Sequence, residues 1–178
     1  MIIRHNRIRD VLAEWLKSQG IGVNTEQAVP AWDTPTERAF LDVAYNDAVA
    51  GRRYVDLAIV AGSTHVNVAP DVRVARHEKF KHKRYTGPAL VPFVVDVRGA
   101  WGAEALAWLK DIKPQLQVPD KDAAVAVLKY RLAASIQSSV ADAVIRSATD
   151  TRRPRDPPQR PGPPLIAGAS PGPLLQHL

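Results

Sequence analysis

The 178-residue sequence has no cysteine, which removes together a disulfide framework, a thiolate metal site and a cysteine nucleophile. Long apolar runs are also missing. None approaches the roughly 20 residues that a membrane-spanning helix needs, and Met1-Ile2-Ile3-Arg4-His5 carries no apolar signal core. Neither secretion nor membrane insertion is expected, and an intracellular location, nucleus or cytoplasm, is. No glycine-rich phosphate loop occurs, and His5, His65, His77 and His82 do not fall at metal-ligand spacing. No small-molecule cofactor is expected. Acidic residues are outnumbered: the formal net charge is +6, which favours a polyanionic partner, DNA foremost. Hydrophobic residues make up 46% of the chain, enough to bury one core unaided.

Periodicity divides the chain. Ile8, Val11, Leu12, Trp15 and Leu16 recur at helical spacing between His5 and Gly20, with Asn6 as candidate cap. Val23 to Val29 reads as a short strand ended by Pro30. Ala39 to Tyr45 and Tyr54 to Val60 are two apolar runs around a glycine-bearing turn, the signature of a hairpin. After a loop with Gly62 and Pro70, Asp71 is a candidate cap for a basic helix from Val72 to Tyr85. Ala89 to Val97 is the near-continuous apolar run of a strand covered on both faces, with Pro92 marking an edge or entry position. Ala103 to Ile112 predicts a short helix. Lys121 to Ala148 predicts a long one, with Val125, Leu128, Leu132, Ile136, Val140 and Val144 in a stripe that docks on the core or on a partner helix. The expected architecture is α/β: a core over residues 1–118 in the order α-β-β-β-α-β-α, with a mixed central sheet flanked by helices. A C-terminal helix follows over 119–149. Residues 150–178, dense in proline, are expected to form a disordered tail.

Two charges sit inside apolar strands, Asp42 in Phe40-Leu41-Asp42-Val43-Ala44 and Asp56 in Tyr54-Val55-Asp56-Leu57-Ala58. A hairpin closed symmetrically around Val49 sets Ala44 against Tyr54 and Asp42 against Asp56, bringing the carboxylates to one face at about 5 Å. Like charges so placed destabilise a sheet unless a divalent cation bridges them. Magnesium, or manganese in its place, suits carboxylates, water and phosphate oxygens. The alternative is a slipped register, or an aspartate paired with Arg52, Arg53 or Arg98. On the basic helix, Val74, Glu78, Lys81 and Tyr85 share one face. A lysine there would reach a scissile phosphate or its attacking water; otherwise the face is simply solvated. Arg76, Lys79, Lys83 and Arg84 read as phosphate-backbone contacts. Glu26 is a candidate third metal ligand or an ordinary exposed strand residue. Asp96 has three open roles: ligand, arginine partner, or solvent contact at a strand end.

With Asp42 and Asp56, the string Glu78-Lys79-Phe80-Lys81-His82-Lys83-Arg84-Tyr85 resembles the restriction-enzyme-like endonuclease domain of non-LTR retrotransposons, a branch of the PD-(D/E)xK superfamily. The likeness covers roughly residues 5 to 112 and extends to Val91-Pro92-Phe93-Val94-Val95-Asp96-Val97-Arg98-Gly99-Ala100-Trp101-Gly102, an aliphatic strand entering a glycine-aromatic-glycine turn. The resemblance implies a metal-dependent DNA endonuclease derived from a mobile element. Asp42 and Asp56 would hold magnesium, Lys81 would be the catalytic lysine, and Tyr85 would orient it or the phosphate. Two positions depart from the pattern: no proline precedes Asp42, and Ala58 stands where a lysine is expected, so the lysine must come from the helix. The rival expectations are a degenerate nuclease fold that only binds nucleic acid, and a protein-interaction module built on the long helix. Tyr45-Asn46-Asp47-Ala48 lacks the second aspartate of a reverse-transcriptase motif, so a mobile-element origin implies a fragment or detached domain.

Overall fold

The computed structural model describes residues 2–61 and 68–150. Its elements are α1 (Ile2–Ser18), β1 (Val23–Ala28), β2 (Phe40–Asp47), β3 (Gly51–Val60), α2 (Pro70–Arg84), β4 (Leu90–Asp96), α3 (Ala103–Ile112) and α4 (Lys121–Asp150), with single 3-10 turns at Pro30–Trp32 and Lys113–Gln115. The order α-β-β-β-α-β-α is as expected. The four strands form one mixed sheet in the order β1-β2-β3-β4. β1, β2 and β3 run antiparallel to one another in turn, and α2 carries the chain over to β4, which lies parallel to β3.

Alternation along the strands sets two faces. Val43 and Tyr45, Val55 and Leu57, and Val91, Phe93 and Val95 point to the main core, where they meet Leu12, Trp15 and Leu16 of α1 and Trp108 and Ile112 of α3. Trp108 stands edge-on to Phe93 at 5.4 Å and donates its indole N–H to the Tyr45 hydroxyl at 2.7 Å. The other face, with Val60 and Val94, takes Val74 of α2. Covered on both sides, β4 is buried at every position, which is why its sequence reads as continuous apolar residues rather than alternating ones.

β4 is an edge strand, and its outer rim is closed by the chain itself. Gly99, at φ +93°, turns the chain back so that Val95 bridges Trp101. The Gly102 N–H then donates to the Val94 carbonyl and the Asp96 N–H to the Ala100 carbonyl, each at 2.8 Å. Even-numbered residues of β4 therefore direct their backbone groups outward, so the N–H that Pro92 lacks is one that β3 would not have used.

Three local expectations change. α1 starts at Ile2, which places Asn6 inside the helix rather than at its cap. α2 starts at Pro70, with no side-chain cap; Asp71 lies in the first turn, where its charge meets the helix dipole, and proline suits the first helical position. The α4 stripe docks only in part: Leu128, Leu132 and Ile136 are buried in the main core, but Val144 is 62% exposed. Gly62, His65 and the expected tail beyond Asp150 lie outside the described residues. Among the described residues no helix is long and apolar enough to cross a membrane.

Candidate active site

The β2–β3 ladder runs from Asp47 opposite Gly51 to Val43 opposite Val55, the register that symmetric closure predicts, with Ala44 against Tyr54. One step further Asp42 and Asp56 would pair, but the ladder stops short of them. In its place the Leu57 N–H donates to Asp42 Oδ2 at 2.7 Å, so a side chain takes over the role of a strand carbonyl and the hairpin splays. The expectation of a direct Asp42–Asp56 ladder pair is corrected accordingly. The two carboxyl groups nonetheless come close enough for the Asp42 carboxylate to help raise Asp56.

Three elements converge on this splay. Asp56 is 6% exposed and faces α2, from which Lys81 places Nζ 2.7 Å from Asp56 Oδ2. The helical face expected from spacing is the buried one: Val74, Glu78 and Tyr85 are all buried, and the Lys81 side chain nearly so. Tyr85 packs against Trp32 at 5.4 Å and, with Leu41 and Leu90, forms the floor under the last turn of α2. From the opposite side α1 brings His5, whose Nε2 is 2.5 Å from Asp42 Oδ1. Sequence reasoning passed over His5, because its partner is 37 residues away and nothing local marks it.

Burial pushes the Asp56 carboxyl above the usual aspartate range; Lys81 pulls it down, and the neighbouring Asp42 raises it again. His5 is raised by its hydrogen bond to Asp42, against the opposing effect of burial. Burial also raises Tyr85, and the Asp56 charge adds to the effect. The paired carboxylates thus have protein partners beside them, Lys81 on Asp56 and the His5 imidazole on Asp42. The expected alternative of an arginine partner from Arg52, Arg53 or Arg98 is not what the structure shows; the basic partner of Asp56 is Lys81.

Glu26 does not join the pair. It sits at φ +53°, in the left-handed region, and its carboxylate goes to Arg9. Among the described residues no group of three His, Asp or Glu side chains is gathered as a ready metal site. Two carboxylates still fit a magnesium ion. Asp56 Oδ2 is fully buried and, although an ion pair holds it to Lys81, it accepts no hydrogen bond of regular geometry. A carboxylate offers about four acceptor positions, of which Asp42 uses one on each oxygen.

The remaining acids and bases resolve simply. Asp96, wholly buried, takes the Arg73 guanidinium at 3.0 and 2.8 Å and is an arginine partner. Glu78, raised by burial, accepts the Glu104 N–H at 3.0 Å and so anchors the start of α3. Arg76, Lys79 and Lys83 project from α2, exposed and without ion-pair partners among the described residues. Arg84 instead pairs with Glu37 at 2.5 Å and lies over the Tyr85 ring. Compared with models of known families and with curated proteins, the chain matches none.

Proposed function

We propose that the protein is a magnesium- or manganese-dependent DNA endonuclease with a PD-(D/E)xK-like core, of the kind carried by mobile elements. The observation that carries this reading is the meeting of Asp42, Asp56 and Lys81, from two strands and a helix, at the splayed end of a hairpin. The position where the family's strand lysine would stand is Ala58, and Lys81 reaches the acid from α2 instead. Asp42 and Asp56 would hold the metal, which when bound supplies charge neutralisation at the phosphate and an acidified water. The chain's own part is positioning. The Leu57 N–H fixes Asp42, burial against α2 fixes Asp56, and Lys81 brings a positive charge to where charge develops on the phosphate. Arg76, Lys79 and Lys83 would grip phosphates along the exposed flank of α2.

Nicking of supercoiled plasmid with magnesium, against a chelator blank, tests this. The parent is expected to nick, and Asp42→Asn, Asp56→Asn and Lys81→Ala each to lose on the order of a hundredfold in rate while still binding DNA. If both asparagine variants nick at the parent's rate, the site is elsewhere. One observation favours a second reading, a degenerate fold that binds DNA without cutting it: His5 and Lys81 already occupy Asp42 Oδ1 and Asp56 Oδ2. A parent that binds DNA in a salt-dependent way but never nicks it selects that reading.

A further inference from the structure

Beside the candidate active site, a cavity of about 360 Å³ opens between the first turns of α1, the edge strand β1 and its neighbour β2. It shares His5 and Asp42 with the site and adds Asn6, Arg9, Glu26 and Phe40. Its size is at the lower end of small-ligand pockets, roughly 300–1,000 Å³. We propose that this cavity receives one unpaired nucleobase, stacked on Phe40, from the strand whose phosphate lies at Asp42 and Asp56. The proposal rests on the nuclease reading of that site and specifies its substrate as a strand with an unstacked nucleotide.

Four features support it. Phe40 is 54% exposed at the cavity, an aromatic face presented to solvent on the same strand as Asp42 and just ahead of it in the chain. Aromatic stacking is how proteins hold unpaired bases irrespective of sequence. The polar lining groups are already engaged with one another, Arg9 with Glu26 and His5 with Asp42, so no unpartnered arginine is left to hold a second phosphate and the cavity suits a neutral heteroaromatic ring. The Asn6 amide has no hydrogen-bond partner among the described residues and supplies both a donor and an acceptor for a base edge. Finally, Glu26 adopts its left-handed conformation at the cavity rim. Such backbone strain in a non-glycine residue concentrates at functional sites. A base inside a duplex is not presented this way; it must leave the stack to enter.

The test is equilibrium binding by fluorescence anisotropy in chelator, at low salt, so that cleavage plays no part. The probes are a short labelled single strand, the same strand with abasic sugars, and its duplex. The parent is expected to prefer the single strand. Phe40→Ala should lose about tenfold on the single strand and nothing on the duplex, and Phe40→Tyr should restore the loss. The abasic strand should bind the parent as weakly as the intact strand binds Phe40→Ala. Phe40 is half exposed, so the variants should fold, which circular dichroism verifies. Equal affinity of the parent and Phe40→Ala for the single strand overturns the pocket, even if plasmid nicking persists and the nuclease reading stands. A parent that never nicks but shows Phe40-dependent single-strand binding keeps the pocket and removes the nuclease.

Discussion

Asp56 is the residue on which the site turns, and its titration has a definite sign. Its carboxyl is held above the usual range chiefly by burial, so the folded state binds the proton more tightly than the unfolded chain does. The stability this contributes is fully present below the unfolded value of about 3.9 and is lost as pH rises through the folded value. Above that folded value the ionised group is therefore a net cost. Asp56→Asn is expected to hold or raise the melting temperature at pH 7.5 and to flatten its rise toward acid. A fall of several degrees would mean that the Lys81 pair outweighs desolvation. His5 titrates in the complementary window. Raised by its hydrogen bond to Asp42, it contributes stability that is complete below about 6.5 and lost as pH rises through its folded value. His5→Gln should remove the loss of stability that begins as pH rises above about 6.5, followed by thermal melts. The two aspartates were legible because a charge inside an apolar strand demands a reason. His5 and the left-handed turn at Glu26 were not, since each depends on a partner or a backbone angle that composition does not encode.

At the scale of elements, α2 divides its labour by face. Glu78, Lys81 and Tyr85 look inward, and Arg76, Lys79 and Lys83 look outward. On the proposed nuclease reading, Lys83→Ala or Lys79→Ala should weaken DNA binding evenly across sequences and reduce the salt slope by about 1 each. A slope that does not change would remove α2 from the footprint. The inward face is also tied to α3. A β-carbon on Gly102 would collide with Glu78 Oε1 and come within 3.1 Å of Val74. Gly102→Ala is therefore expected to cost about 1–3 kcal/mol in denaturant unfolding, because Glu78 is buried and held by the Glu104 N–H. Periodicity placed α3 at Ala103–Ile112 without error, since its apolar stripe and the glycine before it agree. It misplaced the starts of α1 and α2, where no capping side chain marks the first turn of α2 and apolar residues precede the expected start of α1.

For the whole molecule, the division of α4 matters. Leu128, Leu132 and Ile136 belong to the same core as Trp15 and Trp108, whereas Val144 and Ile145 are exposed. A chain ending at residue 140 should melt within a few degrees of the full chain. One ending at residue 126 should not fold, having lost three buried aliphatic side chains at about 2–5 kcal/mol each. The apolar stripe forecast that the helix would dock, but the spacing carried no signal for where along its length the core would run out.

The closed rim of β4 has one more consequence. An open strand edge invites a strand from another molecule, the first step of domain swapping and fibril growth. Here the Ala100–Gly102 return caps the hydrogen-bonding groups of Val94 and Asp96, and Pro92 offers no donor between them and the start of the strand. The opposite edge is β1, and Glu26 breaks its regular run of extended residues at φ +53°. Among the described residues neither border presents an uninterrupted template, which disfavours the lateral addition of a fifth strand.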